Sequence, residues 1–289
     1  MFGVLPVDKP AGLTSRDVCN RIDRYVRPAK VGHTGTLDPL ATGVLLLAVG
    51  SASRLVEFSL GHHKQYEADF LLGRRSPTLD VEGDVELIPS APIPSLAQLQ
   101  DQAASWVGRV KQVPPRFSAI NISGRRAYDL ARKGRDFELA ARDIEIFAID
   151  ILVYDYPLLR LQIECGSGTY VRSLGSDIAR AVNSDAVMSR LVRTQVGPFQ
   201  LADCHQLERL TTADAVEQAL QPPQLLIANM PTVRLLAEQV AQIRNGIPLE
   251  FETSSAERLI ATDGQDRLVA VLEQTDLSAA RYRSLRVFH

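Results

Sequence analysis

Gly32-His33-Thr34-Gly35-Thr36-Leu37-Asp38-Pro39-Leu40-Ala41-Thr42-Gly43, running directly into Val44-Leu45-Leu46-Leu47-Ala48-Val49, is the most informative stretch of the chain. The second half is a continuous apolar run of strand length and predicts a buried strand. The first half is a loop dense in Gly, Thr and Pro. It carries one carboxylate, Asp38, to the mouth of that strand. Gly35 and Gly43 permit backbone turns that other residues resist. Pro39 biases Asp38 toward extended dihedrals and stiffens its position. A carboxylate held in this way suits a nucleophile or a base. The plainer alternative is that Asp38 only caps a turn and His33 only bonds a backbone carbonyl.

Upstream, residues 3–7 predict a short strand, and Pro10 with Gly12 a turn. Thr14 and Asp17 have capping-box spacing, and Val18, Ile22 and Val26 follow at four-residue steps. They predict a helix ended by Pro28. Downstream, helices are expected near 53–60, 96–107, 125–133 and 169–182. Strands are expected near 65–72, 144–154, 159–165 and 191–196. A helix near 213–220 and the Pro222-Pro223 pair predict a boundary at about 222–231. The remainder carries a helix at 237–244 and short strands around Asp263-Gly264. No regular strand–helix–strand rhythm appears. The fold class expected is α+β (mixed α/β), with an antiparallel-rich central sheet and flanking helices.

The chain has 289 residues, of which 45% are hydrophobic and 23% charged, and this excludes a disordered, fibrous or coiled-coil protein. At roughly 150 residues per domain, two domains are expected. The longest stretch without Asp, Glu, Lys or Arg, Pro39–Ser53, is too short to span a membrane and is broken by Pro, Thr and Gly. The start, MFGVLPVDKP, lacks the pattern of a secretory leader. Cys19, Cys165 and Cys204 are widely spaced and odd in number, which argues against a disulfide framework and fits a cytoplasmic location.

Net charge is −2, but it is unevenly distributed. Residues 78–101 hold five carboxylates and no cation, whereas residues 109–142 hold nine cations and three carboxylates. A local field of this kind steers a polyanion even when the whole chain is near neutral. No G-x-x-x-x-G-K-[ST] or G-x-G-x-x-G motif is present. The five histidines form no H-x-x-x-H, so no metal site is expected. His62 and His63 are expected at the surface.

Taken together, these segments resemble the tRNA pseudouridine-55 synthases, bacterial enzymes of the TruB type that isomerise one uridine in the TΨC loop. GHTGTLDPLATG resembles the family signature, and the resemblance implies that Asp38 is the nucleophile and His33 the base-flipping residue. Lys64-Gln65-Tyr66 matches the family's K-x-Y, implying that Tyr66 stacks on the target base and handles its C5 proton. Residues 73–83 match a G-x-x-T-x-T-x-D-x-x-G pattern, with Ser76 in place of the first Thr. Residues 112–134 match an inserted thumb, spanning about 109–142, that closes over the RNA arm and contributes Arg125, Arg126 and Lys133. GTYVRSL at 168–174 matches GTYxRxL, implying that Arg172 pairs with Asp38 and that Tyr170 packs under the base. Leu191 matches the leucine lining the pocket. A second departure lies at Asp177-Ile178-Ala179, where many relatives carry Gly after the Asp-aliphatic pair.

The resemblance spans about residues 3–200. It implies a catalytic domain over 1–225 and, more weakly, a small β-rich PUA-like RNA-binding domain over 230–289. The reaction it implies is redox-neutral and needs no cofactor. The partner implied is the T arm and elbow of tRNA. A monomer without an obligate protein partner is expected. A non-catalytic tRNA-binding chaperone and a guide-RNA-dependent pseudouridine synthase are the competing readings. A two-carboxylate glycosidase ranks last, because no second carboxylate sits in a comparable motif.

Overall fold

A computed structural model describes residues 1–122, 124–251, 256–276 and 280–288. Ser123, inside the thumb-like segment, lies outside them. The chain opens with β1 (Gly3–Lys9), α1 (Ser15–Val26), β2 (Val31–His33) and β3 (Thr42–Val49). A 3-10 segment (Gly50–Gly61) leads to β4 (Lys64–Leu72), the short pair β5 (Arg74–Arg75) and β6 (Glu86–Leu87), and α2 (Leu96–Ser105). β7 (Gly108–Gln112), β8 (Asn121–Ile122), β9 (Arg125–Arg126), α3 (Ala127–Arg132), β10 (Arg142–Asp155) and β11 (Leu158–Cys165) follow. Then come α4 (Val171–Ala181), β12 (Ala186–Val196), β13 (Phe199–Gln200), β14 (His205–Gln206) and α5 (Ala213–Ala219).

Ten of these strands form one sheet, in the order β14-β1-β3-β12-β4-β11-β10-β7, with β2 on β3 and β13 on β12. Only the β1–β14 and β3–β12 pairs are parallel. The antiparallel-rich sheet expected from the sequence is present. The capping box is formed: Thr14 Oγ1 accepts from the Asp17 amide, and Asp17 accepts from the Thr14 amide at 2.9 Å. Such a cap stabilises a helix by about 1 kcal/mol.

The run Val44–Val49 is apolar throughout because β3 is covered on both faces. Leu45, Leu47 and Val49 join α1, α2, α4 and α5 in one core, while Val44, Leu46 and Ala48 join a second core on the opposite face. On the helical face, α4 lies tight against β4. A Cβ added to Gly175 would fall 2.0 Å from the Phe70 ring, so only glycine lets the helix approach this closely. That approach lowers the first turn of α4, and Arg172 with it, onto the sheet.

The C-terminal portion comprises β15 (Thr232–Arg234), α6 (Ala237–Arg244), β16 (Leu249–Glu250), β17 (Arg258–Thr262), β18 (Leu268–Asp276) and β19 (Arg281–Val287). Its five strands form a separate sheet, ordered β15-β17-β18-β19-β16. One side has its own core of Leu235, Ile243, Leu259, Leu272 and Tyr282. From the other side, Ile260, Leu268, Val271 and Phe288 pack with Val44, Leu46, Ala48 and Phe58.

Three local expectations need correction. Val31–His33 is a strand paired with β3 rather than open loop. The helix expected from Arg125 begins only at Ala127, because Arg125–Arg126 pair with Asn121–Ile122. His62 is buried, not exposed: its Nε2 bonds the Leu226 carbonyl at 2.7 Å, and its ring packs where a side chain on Gly197 would sit. His63 is exposed as expected.

Candidate active site

The loop that carries Asp38 is held from below by β1 and α1. The Lys9 ammonium, with no exposed surface, donates to the carbonyls of Pro10 (2.9 Å), Pro39 (3.3 Å) and Ala41 (2.7 Å). The Ser15 hydroxyl donates to the Leu37 carbonyl and accepts from the Leu37 amide, at 3.1 and 2.8 Å. The Gly12 amide donates to the Pro39 carbonyl at 2.8 Å. Asp38 thus stands between two pinned carbonyls, with its side chain 36% exposed and open to a ligand.

Arg172 projects from the first turn of α4 and is almost wholly buried. Its Nε lies 3.0 Å from Asp38 Oδ2, and its Nη1 lies 3.1 Å from Asp80 Oδ2. Nη1 also donates to the Thr78 carbonyl (2.7 Å), and Nη2 to the Phe117 carbonyl (3.1 Å). The pairing of Arg172 with Asp38 expected from the resemblance is present, and the fork bridges to a second carboxylate, Asp80. Asp80 is itself fixed by the Thr78 hydroxyl at 2.6 Å and the Glu82 amide at 3.1 Å. Removing one partner from a buried charge pair of this kind costs about 3–5 kcal/mol.

Tyr66, on β4, lies opposite Arg193 of β12 and Ile163 of β11. Burial pushes its phenol above the usual range, while the Arg193 guanidinium facing the hydroxyl pulls the other way. Arg193 is 2% exposed; its Nε donates to the Val44 carbonyl (2.7 Å) and its Nη2 to the Gly35 carbonyl (3.2 Å). It therefore links Tyr66 to both ends of the Asp38 loop. Leu191, two residues earlier on the same strand, is buried in the helical-face core that also holds Tyr66. Tyr170 precedes α4, where Gln112 binds its amide and its carbonyl at 2.8 and 3.1 Å. His33 is half-buried with an unpartnered Nδ1, and burial holds it below the usual imidazole range.

The structure brings Tyr66, Tyr170 and Arg172 within electrostatic reach of Asp38, and Leu191 shares the core of Tyr66. It keeps Arg125, Arg126 and Lys133 apart from them, exposed on the thumb-like segment. Arg126 is tied to the Ala119 carbonyl at 2.5 Å, and Arg132 and Arg116 lie over the rings of Tyr128 and Phe137. This segment touches the buried site through Phe117, whose carbonyl receives Arg172. Among the described residues, no cluster of His, Cys, Asp and Glu suits a metal. No described helix is long and apolar enough to cross a membrane.

Three residues escaped the sequence reading. Lys9 and Arg193 are buried cations whose only signal is a charge beside strand residues. Asp80 is the one acidic residue of the 78–101 run that ends up buried, and its position within the T-x-D pattern was the available signal.

The chain is similar to several known proteins. Residues 23–171 match the family model described as TruB family pseudouridylate synthase (N terminal domain). A tRNA pseudouridine synthase B from Rhodopirellula baltica is 40% identical over 85% of this chain and 75% of its own length. Proteins of the same name from Caulobacter vibrioides (37%; 99% and 96% covered) and Dehalococcoides mccartyi (34%; 96% and 94%) match over nearly their whole lengths. Among solved structures, an H/ACA ribonucleoprotein bound to a substrate RNA containing 2′-deoxyuridine matches with a TM-score of 0.75 and 23% identity, covering 100% of this chain and 85% of that one. At that identity the likeness concerns the fold.

Proposed function

The chain belongs to the TruB family of pseudouridylate synthases, and from that membership we propose that it isomerises a uridine of tRNA to pseudouridine, with position 55 of the TΨC loop as its target. The target base leaves its stack, at a cost of about a few kcal/mol, and enters the opening above Asp38. Tyr66 offers a flat face for stacking, Leu191 an apolar floor, and Tyr170 support from beneath. His33 holds the flipped conformation.

Asp38 is the nucleophile. The guanidinium of Arg172 beside it favours the ionised carboxylate, and arginine suits the role because it does not lose its own proton. The C1′–N1 bond breaks, the uracil turns, and C5 joins C1′. The C5 hydrogen leaves as a proton and N1 regains one, so composition and oxidation state are unchanged. Tyr66 handles the C5 proton, with Arg193 favouring the phenolate that burial opposes.

The thumb, through Arg125, Arg126 and Lys133, contacts RNA phosphates, which give affinity and position. Residues 230–289 act as a PUA-like RNA-binding unit beside a catalytic domain over 1–225. The protein works in the cytoplasm as a monomer, on free tRNA, and needs no guide RNA and no cofactor. Opening and refolding of the tRNA elbow accompanies the chemistry.

The observation that carries this reading is the 3.0 Å contact between a half-open Asp38 and a buried Arg172. The test is tritium release from tRNA transcripts labelled at C5 of uridine, without added guide RNA. Release of one tritium per tRNA is expected, lost with the loop uridine replaced and lost with Asp38→Asn while tRNA binding persists. Binding without release by the unaltered chain would reduce it to an RNA binder.

A further inference from the structure

We infer that the Lys64 ammonium receives a phosphate of the RNA strand beside the flipped nucleotide, an inference that rests on the tRNA-modifying reading above. Lys64 opens β4 and shares a face with Tyr66, two residues along. That separation is about 6.5–7 Å in a strand, comparable to the spacing of a base and a neighbouring phosphate. The side chain is half-buried. Its Nζ donates to the His62 carbonyl at 3.1 Å and the Ser167 hydroxyl at 2.7 Å, both uncharged. An ammonium has three donors, so one remains.

Among the described residues, no carboxylate pairs with this charge. The groups whose charge reaches Lys64 are Arg193 on β12, Cys165 on β11 and His62 just before the strand. Arg193 is a second cation. The Cys165 thiol is pushed up to about 11 by burial and stays neutral. His62 is held below the usual imidazole range by burial. Burial and Arg193 together bring Lys64 down to about 8. Among the described residues, Lys9, Lys64, Arg172 and Arg193 surround the site against three carboxylates, Asp38, Asp80 and Glu82, and none of the three is among the groups whose charge reaches Lys64. A half-buried cation without a counter-charge is costly, and a phosphodiester supplies the missing anion. The competing view is that Lys64 only clamps Ser167, and hence the approach to Arg172.

The two views separate in a binding experiment on the full chain carrying Asp38→Asn, which holds substrate without turnover. Affinity for tRNA is measured against salt and pH in this parent, with Lys64→Met and Lys64→Arg added. Loss of one phosphate contact lowers the slope of log affinity against log salt by about 0.7–0.9, expected for Lys64→Met and not for Lys64→Arg. Binding a phosphate favours the ammonium, so the parent's affinity falls as pH rises above about 8, by at most tenfold per unit. In Lys64→Arg this part of the fall disappears. Lys9, also held near 8, is present in both chains, so their difference isolates Lys64.

An unchanged salt slope in Lys64→Met, or the parent's full pH fall persisting in Lys64→Arg, overturns the inference and leaves the clamp. A parent with no salt-dependent tRNA binding at all overturns the functional reading as well. Thermal melts of each variant identify a folding defect, and Lys64→Arg decides the matter if Lys64→Met does not fold.

Discussion

Gly43 and Arg193 face each other across the parallel pair β3–β12 so closely that a methyl group on Gly43 would lie 2.3 Å from the Arg193 carbonyl oxygen. Gly43 also has φ +97°, which L side chains rarely adopt. The contact fixes the backbone of the residue whose guanidinium reaches Val44, Gly35 and Tyr66.

Gly43→Ala is therefore expected to destabilise the chain by about 2–4 kcal/mol, through backbone strain plus overpacking. Gly12→Ala is the control. Gly12 also has positive φ (+81°) but open space around its Cβ, and its cost should be about 1 kcal/mol. Urea denaturation checks both; equal costs would mean the Arg193 contact contributes nothing.

Asp80→Asn should leave tRNA affinity nearly intact and slow the chemical step by about 10–100-fold, or about 1.4–2.7 kcal/mol. Asp80 does not line the opening; it acts through Arg172, which it holds at 3.1 Å. Single-turnover rates at saturating enzyme read this directly. A rate equal to the parent's would show that the Thr78 and Phe117 carbonyls alone hold Arg172 in place.

Lys9→Met should cost about 2–4 kcal/mol at neutral pH, because three carbonyls lose their donor. The cost should grow with pH. Lys9 titrates at about 8 in the fold, against 10.5 when unperturbed. Between those values the folded chain binds fewer protons, so the penalty for burying the ammonium, complete below about 8, is relieved as pH rises. Wild type therefore gains stability in this window that the variant lacks. Denaturation at pH 7.5 and 9.5 tests this: the gap must widen.

Replacing Arg125 and Lys133 together by Ala should lower the salt slope of tRNA binding by about 1.4–1.8, two phosphates' worth. Both side chains are exposed, so the melting temperature should not move. Unchanged salt dependence would remove the thumb from the RNA interface.

Much of this was legible in one dimension. The loop around Asp38 stood out because Gly and Pro mark backbone needs that lie within the loop itself. The Thr14–Asp17 cap and the period of α1 are likewise local. Asp80 was hidden because its partner, Arg172, is 92 residues away and only the fold brings the two together. Arg193 and Lys9 were hidden for a related reason. Apart from Tyr66 beside Arg193, their partners are backbone carbonyls, and a carbonyl leaves no trace in residue identity. His62 was misread because its burial comes from Leu226 and Gly197, far along the chain.

The apolar seam between the two sheets makes the C-terminal strands a wall of the core beneath β3. Val44, Leu46 and Ala48 lie on the strand that follows the Asp38 loop, and their cover is Ile260, Leu268, Val271 and Phe288. A chain truncated before residue 231 would present that strand's second face to water. Its lost activity would then report a loosened Asp38 loop rather than a missing RNA contact. With the same seam shared, calorimetry is expected to show both parts unfolding in one transition.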